Sequence, residues 1–255
     1  MPPARRTRRV HRTRRVRRLS RARRLSASAR TLRGVSSRSS PPAVRPPERI
    51  AIGELTLERW RHRDAEQLTR AAAASREHLR RWMAWASHSD LATHRRFLAD
   101  SDEGWRRGAR FEYAIRDRDA QLLGGVGLME RIGPGGLELG YWVHAEHTRR
   151  GVASRAAAAL TEAALALRAI THVEVHHDEA NVASGAVPAR LGFRKLGVWP
   201  VLAQAPADSG REVRWRIDAR DFPASEASAL LERSRAVVYP GTGGIVRRYD
   251  EDFRP

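Results

Sequence analysis

One stretch of the sequence combines a carboxylate, a glycine and two arginines in an order that suits anion binding. Glu138 lies in an apolar segment that predicts a strand, and the loop Thr148–Ser154 follows it and leads into a long alanine-rich segment. A glycine at a helix start leaves several backbone N–H groups unpaired and directed towards one point, where an anion can bind. Arg149 and Arg150 add positive charge there, so the loop predicts a pyrophosphate site more than a carboxylate site.

A second pair of polar residues follows about 30 residues after this loop. Asn181 and Ser184 precede the segment Leu191-Gly192-Phe193, with one more predicted strand between them and the glycine loop. By itself, an Asn three residues before a Ser is most often a helix N-cap and its first turn. Its significance depends on the segments around it.

Taken together, these segments resemble the GCN5-related N-acetyltransferase (GNAT) superfamily, most closely its RimJ/RimL-type branch, which acetylates N-terminal amines of ribosomal proteins. The resemblance covers roughly residues 52–218. The segments that carry it are Glu138-x-Gly140-Tyr141-Trp142, the loop 148–153, Asn181-x-x-Ser184, Leu191-Gly192-Phe193 and Leu79-x-x-Trp82-Met83-x-Trp85.

The resemblance implies acetyl-CoA as co-substrate and no metal. The family's loop begins with Gln or Arg where this chain has Thr148, but it keeps the glycine and the final small residue, here Gly151 and Ala153. By resemblance, the pantetheine arm lies along strand 138–143 where that strand splays from strand 172–177. The implied cofactor-binding residues are Trp142, Val143, His144, Arg149, Arg150, Gly151, Val152, Ala153, Ser154 and Asn181.

The resemblance also implies the catalytic groups. Attack of an amine on a thioester needs a base for the amine and a proton for the sulfur. Glu138 is the candidate base, directly or through a water molecule, and we expect burial among apolar neighbours to raise its pKa; an exposed strand residue without a catalytic role is the alternative. Many family members use a tyrosine acid at the position of Pro188, which leaves Ser184 as the candidate donor to the thiolate. Pro188 and Gly185 predict a kinked or shortened helix.

The acceptor site is less clear from the sequence. Trp82 and Trp85 are candidate acceptor-binding residues by resemblance, although large aromatic residues at this spacing are more often part of a core. His176 and His177 flank the site and are weaker catalytic candidates. Their side chains point to opposite faces of a strand, so they predict no metal centre.

The remaining segments alternate between strand and helix periods. The predicted fold class is α/β (α+β), with a mixed, mostly antiparallel central sheet flanked by helices. Predicted strands cover 54–60, 111–116, 122–129, 137–143, 172–177, 194–200 and 212–218, and predicted helices cover 65–74, 76–86, 91–106, 151–168, 182–191 and 225–235.

The charge of the chain lies almost entirely at its beginning. The 255 residues carry a net charge of +19, but residues 1–47 hold 16 Arg and no acidic residue, which leaves 32 basic and 29 acidic residues elsewhere. We expect a disordered Arg/Pro-rich arm over 1–47, an acetyltransferase domain over 48–220, and a helix with a mobile tail over 221–255. Weak contact of the arm with RNA or the ribosome, targeting, and a merely solvated tail remain alternatives.

Composition excludes several classes of function. The chain has no Cys, so it has no disulfide, Cys nucleophile, Cys-ligated zinc or iron–sulfur cluster. No apolar stretch approaches the ~18 residues of a membrane span. The sequence thus predicts a cytoplasmic acetyl-CoA-dependent N-acetyltransferase, monomeric or homodimeric, that acts on a primary amine, with a protein N-terminus as the leading acceptor. Acetylation of a small amine (an antibiotic or polyamine) and a non-catalytic CoA- or RNA-binding role are the alternatives.

Overall fold

A computed structural model describes residues 45–235 of the chain. Its strands are β1 (Arg49–Ile52), β2 (Leu55–Arg59), β3 (Arg110–Arg116), β4 (Leu122–Met129), β5 (Gly136–Val143), β6 (His172–Asp178), β7 (Arg194–Pro200) and β8 (Arg211–Asp218). Its helices are α1 (Ala65–Ala74), α2 (Arg76–Leu79), α3 (Leu91–Arg107), α4 (Val152–Leu165), α5 (Val182–Arg190) and α6 (Glu226–Arg235).

The eight described strands form one sheet in the order β1-β2-β3-β4-β5-β6-β8-β7. Every neighbouring pair is antiparallel except β5 and β6, which are parallel. The mixed, mostly antiparallel sheet predicted from the sequence is confirmed.

Helices cover both faces of this sheet. Neighbouring residues Ala114 and Ile115 belong to different hydrophobic clusters, because successive side chains of a strand point to opposite faces. One cluster holds α4 and α6, and Ala156–Ala159 are fully or almost fully buried there. Small side chains let α4 lie close to the sheet, so the alanine-rich composition serves packing. The other cluster includes Leu68 of α1.

Two local predictions differ from the structure. The predicted helix 76–86 is wrong: α2 ends at Leu79, and a 3₁₀ turn covers Ala84–His88 after an extended Met83. The tryptophans of this segment line a cavity described below instead of a core, so no apolar face holds a longer helix together. Strand β1 is absent from the prediction, because it has only four residues and directly follows the Pro-rich segment.

Both ends of the described region pack against the domain. Tyr113 donates a hydrogen bond to the carbonyl of Pro47 (2.8 Å), and Arg45 donates to the carbonyl of Arg106 (2.6 Å). At the other end, Leu231 of α6 is buried in the same cluster as α4. Residues 1–44 of the predicted arm and 236–255 of the predicted tail lie outside the described residues. No helix within residues 45–235 is long and apolar enough to cross a membrane.

Candidate active site

Strands β5 and β6 part shortly after they begin. They pair only through Gly136–Glu138 and His172–Glu174, whereas β6 continues to pair with β8 along its whole length. On its other side β5 pairs with β4 as far as Val143. The backbone edge of Leu139–Val143 is therefore open towards β6, which is the predicted splay, and the main chain of Trp142 and Val143 borders it.

The glycine loop has the backbone geometry of an anion site. The first α4 hydrogen bond runs from the N–H of Arg155 to the carbonyl of Gly151 (3.0 Å), which leaves the N–H groups of Val152, Ala153 and Ser154 without intrahelical acceptors. Gly151 has φ 73°, and a Cβ there would meet only one protein atom, 3.9 Å away. The left-handed backbone conformation therefore explains the glycine, because neighbouring protein atoms would leave room for a side chain.

Two arginines of helices α4 and α5, which the sequence analysis missed, contact this loop. Arg149 and Arg150 are exposed, as a phosphate site requires. Arg155 donates to the carbonyl of Arg150 (3.2 Å), and Arg190 of α5 donates to the Ser154 hydroxyl (3.3 Å). The side chain of Ser154 is thus buried and engaged, so only its N–H faces the anion site. The spacing of Arg155 from Gly151 was a usable signal, but the approach of Arg190 depends on the packing of α5.

His144 joins the end of β5 to the turn before this loop. Its N–H donates to the carbonyl of Leu123 (2.8 Å), and its Nδ1 accepts the N–H of Glu146 (3.3 Å). The backbone N–H of this predicted cofactor residue is therefore already paired within the protein.

Helix α5 is continuous over Val182–Arg190, so the predicted shortening at Gly185 and Pro188 is wrong, and the kink stays a prediction. The side-chain oxygen of Asn181 accepts the N–H of Ser184 (3.1 Å) and caps the helix. Gly185 faces the ring of His177, which would lie 2.6 Å from a Cβ at that position. The glycine therefore serves a close contact between α5 and β6.

Ser184 meets Tyr141, a contact that the sequence did not indicate. The Tyr141 hydroxyl donates to the Ser184 carbonyl (2.8 Å) and lies 3.3 Å from the Ser184 hydroxyl. Burial raises the pKa of Tyr141 to about 12. Its hydroxyl consequently keeps its proton at neutral pH and acts as a donor.

Glu138 is buried, but the prediction that its carboxylate lies in apolar surroundings is wrong. Arg131 donates to both of its oxygens, from Nε (2.6 Å) and from Nη2, and the hydrogen bonds to Glu138 raise the pKa of Arg131. His176 Nδ1 lies 3.5 Å from Glu138 Oε2 and 3.6 Å from Glu212 Oε1, while its Nε2 lies 2.8 Å from Glu174 Oε2. We call Glu138, Glu174, His176 and Glu212 the acidic cluster.

Both ring nitrogens of His177 are hydrogen-bonded away from the acidic cluster. Its Nε2 accepts a hydrogen bond from the indole of Trp215 (3.0 Å), so its Nδ1 carries the proton that it shares with the carbonyl of Asp178 (2.8 Å). Burial lowers the pKa of His177. It is a neutral packing residue, in contrast to His176, which belongs to the acidic cluster.

A cavity of about 1240 Å³ opens beside the acidic cluster. Trp82 and Trp85 line it, together with Trp142 of β5, whose ring centroid lies 6.0 Å from that of Trp85 in an edge-to-face arrangement. Trp85 is 39% exposed, so the alternative that it belongs to the core is excluded. The rim is apolar, since exposed large hydrophobic residues of the described region include Trp85, Trp199, Val201 and Leu202, all of which line the cavity.

In the described part of the chain, no group of three or more His, Asp or Glu residues is arranged to hold a metal ion. The candidate site has four parts: the glycine loop Thr148–Ser154, which we call the anion loop, the opening between β5 and β6, the acidic cluster and the aromatic cavity.

Several solved structures are similar to this chain. RimJ from Mycobacterium smegmatis, in complex with CoA-disulfide, is 22% identical, with a TM-score of 0.66 over 74% of this chain and 97% of that one. The microcin C7 self-immunity acetyltransferase MccE, in complex with acetyl-CoA and AMP, is 19% identical, with a TM-score of 0.60 over 65% and 92%. RimL, a ribosomal L7/L12 α-N-protein acetyltransferase in complex with coenzyme A, is 18% identical, with a TM-score of 0.63 over 67% and 98%. At these identities the likeness shows the fold.

No curated protein sequence matches the chain significantly. The family model of the acetyltransferase (GNAT) domain matches residues 54–194, which is more than half of the chain and includes the anion loop, the opening and most of the acidic cluster. The fold, the loop and the family match agree, and the chain is an N-acetyltransferase of the GNAT family.

Proposed function

We propose that this enzyme transfers the acetyl group of acetyl-CoA to the N-terminal amine of a protein, directly and within a ternary complex. Acetyl-CoA is the donor that membership of the GNAT family implies, and solved structures of similar fold hold CoA or acetyl-CoA. The observation that carries the proposal is the opening between β5 and β6, because it connects an anion site at α4 with a large cavity that can take the acceptor.

The cofactor would bind in two parts. Its pyrophosphate would accept hydrogen bonds from the free N–H groups at the start of α4, with Arg149 and Arg150 adding charge. Its pantetheine arm would lie along the open edge Leu139–Val143. Because β5 leads from this edge towards Glu138, the thioester would reach the opening close to the acidic cluster and Ser184.

The cavity suits a polypeptide acceptor. Each of the three carboxylates of the acidic cluster is paired with an arginine, so the cluster offers hydrogen-bond acceptors to an amine at the inner end of the cavity without a net negative charge. The exposed apolar rim favours the side chains that follow a protein N-terminus, since exposed apolar residues often mark binding surfaces. RimJ and RimL-type structures, which are similar to this chain, include enzymes described as acting on ribosomal proteins.

The transfer then needs one base and one donor. Glu138 would take the proton from the ammonium group, directly or through a water molecule, while Arg131 holds the carboxylate in place. The neutral nitrogen attacks the thioester carbonyl, the C–N bond forms and the C–S bond breaks, and the electron pair goes to sulfur. The Ser184 hydroxyl would donate a hydrogen bond to this thiolate until it is protonated.

A small amine is the second candidate acceptor, and the aromatic walls favour it for molecules with a planar ring. Trp82, Trp85 and Trp142 could stack on such a ring. MccE, which has a similar fold, was solved with AMP.

Release of the CoA thiol from acetyl-CoA tests the function with the full chain. We expect turnover with short peptides that have a free N-terminal Ser or Ala, and none with the same peptides after N-terminal blocking. Turnover confined to polyamines, aminoglycosides or aminoacyl-nucleotide analogues would assign a small acceptor. Binding of acetyl-CoA without turnover on any amine would favour the non-catalytic alternative.

A further inference from the structure

Pro188 leaves one backbone group of α5 without its helical partner. In an α-helix the carbonyl of Ser184 would accept the N–H of residue 188, but proline has no N–H. Helix α5 is nevertheless continuous over Val182–Arg190. The Ser184 carbonyl must therefore find its donor outside the helix.

Tyr141 supplies that donor from the cofactor strand. Its hydroxyl donates to the Ser184 carbonyl at 2.8 Å, across 43 residues of sequence. Tyr141 lies three residues beyond Glu138, the last β5 residue that pairs with β6. The hydrogen bond thus joins β5 to α5 where the two strands have already parted.

The same hydroxyl reaches the side chain of Ser184. The Tyr141 proton points to the carbonyl, so the phenol oxygen can only accept from the Ser184 hydroxyl, 3.3 Å away. At this length the contact is weak, so the hydroxyl can rotate its proton towards the thiolate while its oxygen stays in place. Asn181 holds the N–H of Ser184, and the His177 ring packs against Gly185 next to it. Ser184 is therefore fixed through its N–H, its carbonyl and its hydroxyl.

We infer that Tyr141 is a positioning residue for acetyl transfer: its hydroxyl bonds the carbonyl that Pro188 leaves free and, placed there, holds the Ser184 hydroxyl at the opening through a direct contact. This inference rests on the proposed role of Ser184 as donor to the thiolate. Pro188 removes a helical donor, and Tyr141 on another element supplies one in its place.

The first test is Tyr141→Phe, which removes only the hydroxyl. We expect kcat to fall by about tenfold or more, because Ser184 loses its fixed geometry, while the KM for acetyl-CoA stays within about twofold. Tyr113→Phe is the matched control, since Tyr113 also donates to a backbone carbonyl at 2.8 Å but contacts Pro47, outside the site. It should lower Tm and leave kcat unchanged. An unchanged kcat in Tyr141→Phe would overturn the inference.

Pro188→Ala separates positioning from helix stability. Alanine at this position restores an N–H for the Ser184 carbonyl. Tyr141→Phe should therefore lower Tm by about 2–4 °C in the wild-type background and by clearly less in the Pro188→Ala background. The double variant should recover Tm but keep a low kcat, because the Ser184 hydroxyl still lacks its neighbour. Recovery of kcat together with Tm would reduce Tyr141 to a structural role, and equal Tm costs in both backgrounds would refute the bond to the free carbonyl.

Ser184→Ala distinguishes this inference from the proposed function. If Tyr141 acts through Ser184, Tyr141→Phe should lower kcat no further in a Ser184→Ala background. Additive losses in the two variants would overturn positioning through Ser184. If Ser184→Ala alone leaves kcat unchanged, the proposed role of Ser184 fails and the positioning inference fails with it, while the Tm measurements still decide whether Tyr141 replaces the donor that Pro188 lacks.

Discussion

The anion loop before α4 and the acidic cluster serve different halves of the proposed reaction, and they are built from different kinds of contact. The loop presents the backbone N–H groups of consecutive residues, so its geometry depends on the φ and ψ angles near Gly151. The acidic cluster takes side chains from β5, β6 and β8, and Arg131 joins it from the loop before β5. Local sequence is therefore enough to find the first region, whereas the second exists only once the sheet has formed.

This difference predicts that a substitution in the acidic cluster lowers kcat, whereas a substitution in the loop lowers the affinity for acetyl-CoA. The largest effect is expected for Glu138→Gln, which keeps the size of the side chain but removes its charge and basicity. We expect kcat to fall by about 10²-fold or more and the acidic limb of the kcat–pH profile to flatten, with little change in acetyl-CoA affinity.

Asp64→Asn is the matched control for Glu138→Gln. Asp64 is also a largely buried carboxylate paired with an arginine, since it accepts from Arg116 at 2.9 Å, but it does not line the cavity. Its replacement should lower stability without lowering kcat. If the Glu138 variant keeps its acidic limb, another group or bulk water is the base. Equal kcat losses in the two variants would mean that Glu138 acts only through stability.

The loop is tested by Gly151→Val. A side chain at this φ strains the backbone that presents the free N–H groups, and its bulk would extend towards the pyrophosphate. We expect the Kd for acetyl-CoA to rise at least about tenfold, about 1.4 kcal/mol of lost binding, as measured by calorimetry.

Gly108→Val controls for backbone strain alone. Gly108 ends α3 with φ 74° and ψ 16°, close to the φ 73° and ψ 9° of Gly151, and it lies far along the chain from the anion loop. This variant should lower Tm and leave the Kd unchanged. A folded Gly151 variant with wild-type affinity would remove the loop from the cofactor site.

The smallest effect is expected in the pH dependence of stability. Burial lowers the pKa of His177 beside the acidic cluster and of His147 near the loop. The unfolded chain then binds more protons than the folded one below the ordinary His pKa of about 6.5, so stability falls as pH decreases through that value. Tm should therefore decrease from pH 7 to pH 5, and His177→Asn should show a shallower decrease. A Tm that is constant or rises on acidification would contradict this assignment.

Much of the fold could be predicted because periodicity and turn residues are local. Helix α4 is predicted over 151–168 and covers Val152–Leu165, and β4 has the predicted limits Leu122–Met129. The segment 76–86 could not be predicted correctly, since the same aromatic spacing suits a core helix and a cavity wall. Only the cavity on one side of Trp82 and Trp85 decides between them.

The candidate site likewise has a part that local sequence predicts and a part that depends on tertiary contacts. The spacing of Gly151 and its neighbours predicts an anion site, because a backbone site needs only consecutive residues. The partners of Glu138 were not found, since Arg131 and His176 approach it from different segments of the chain. Gly125 illustrates this limit: its lack of a side chain is explained only by the indole of Trp142, which would lie 2.5 Å from a Cβ there.

The sequence by itself determined the order of most elements, the glycine loop and the family resemblance, because each depends on residues close together in the chain. Only the tertiary structure decided which side chains meet at the opening. Tyr141 and Ser184 are 43 residues apart, and their hydrogen bond depends on the parting of β5 from β6 and on the N–H that Pro188 lacks. Neither residue shows this in its local pattern, since an unpaired carbonyl selects a partner by distance in space and not by position in sequence.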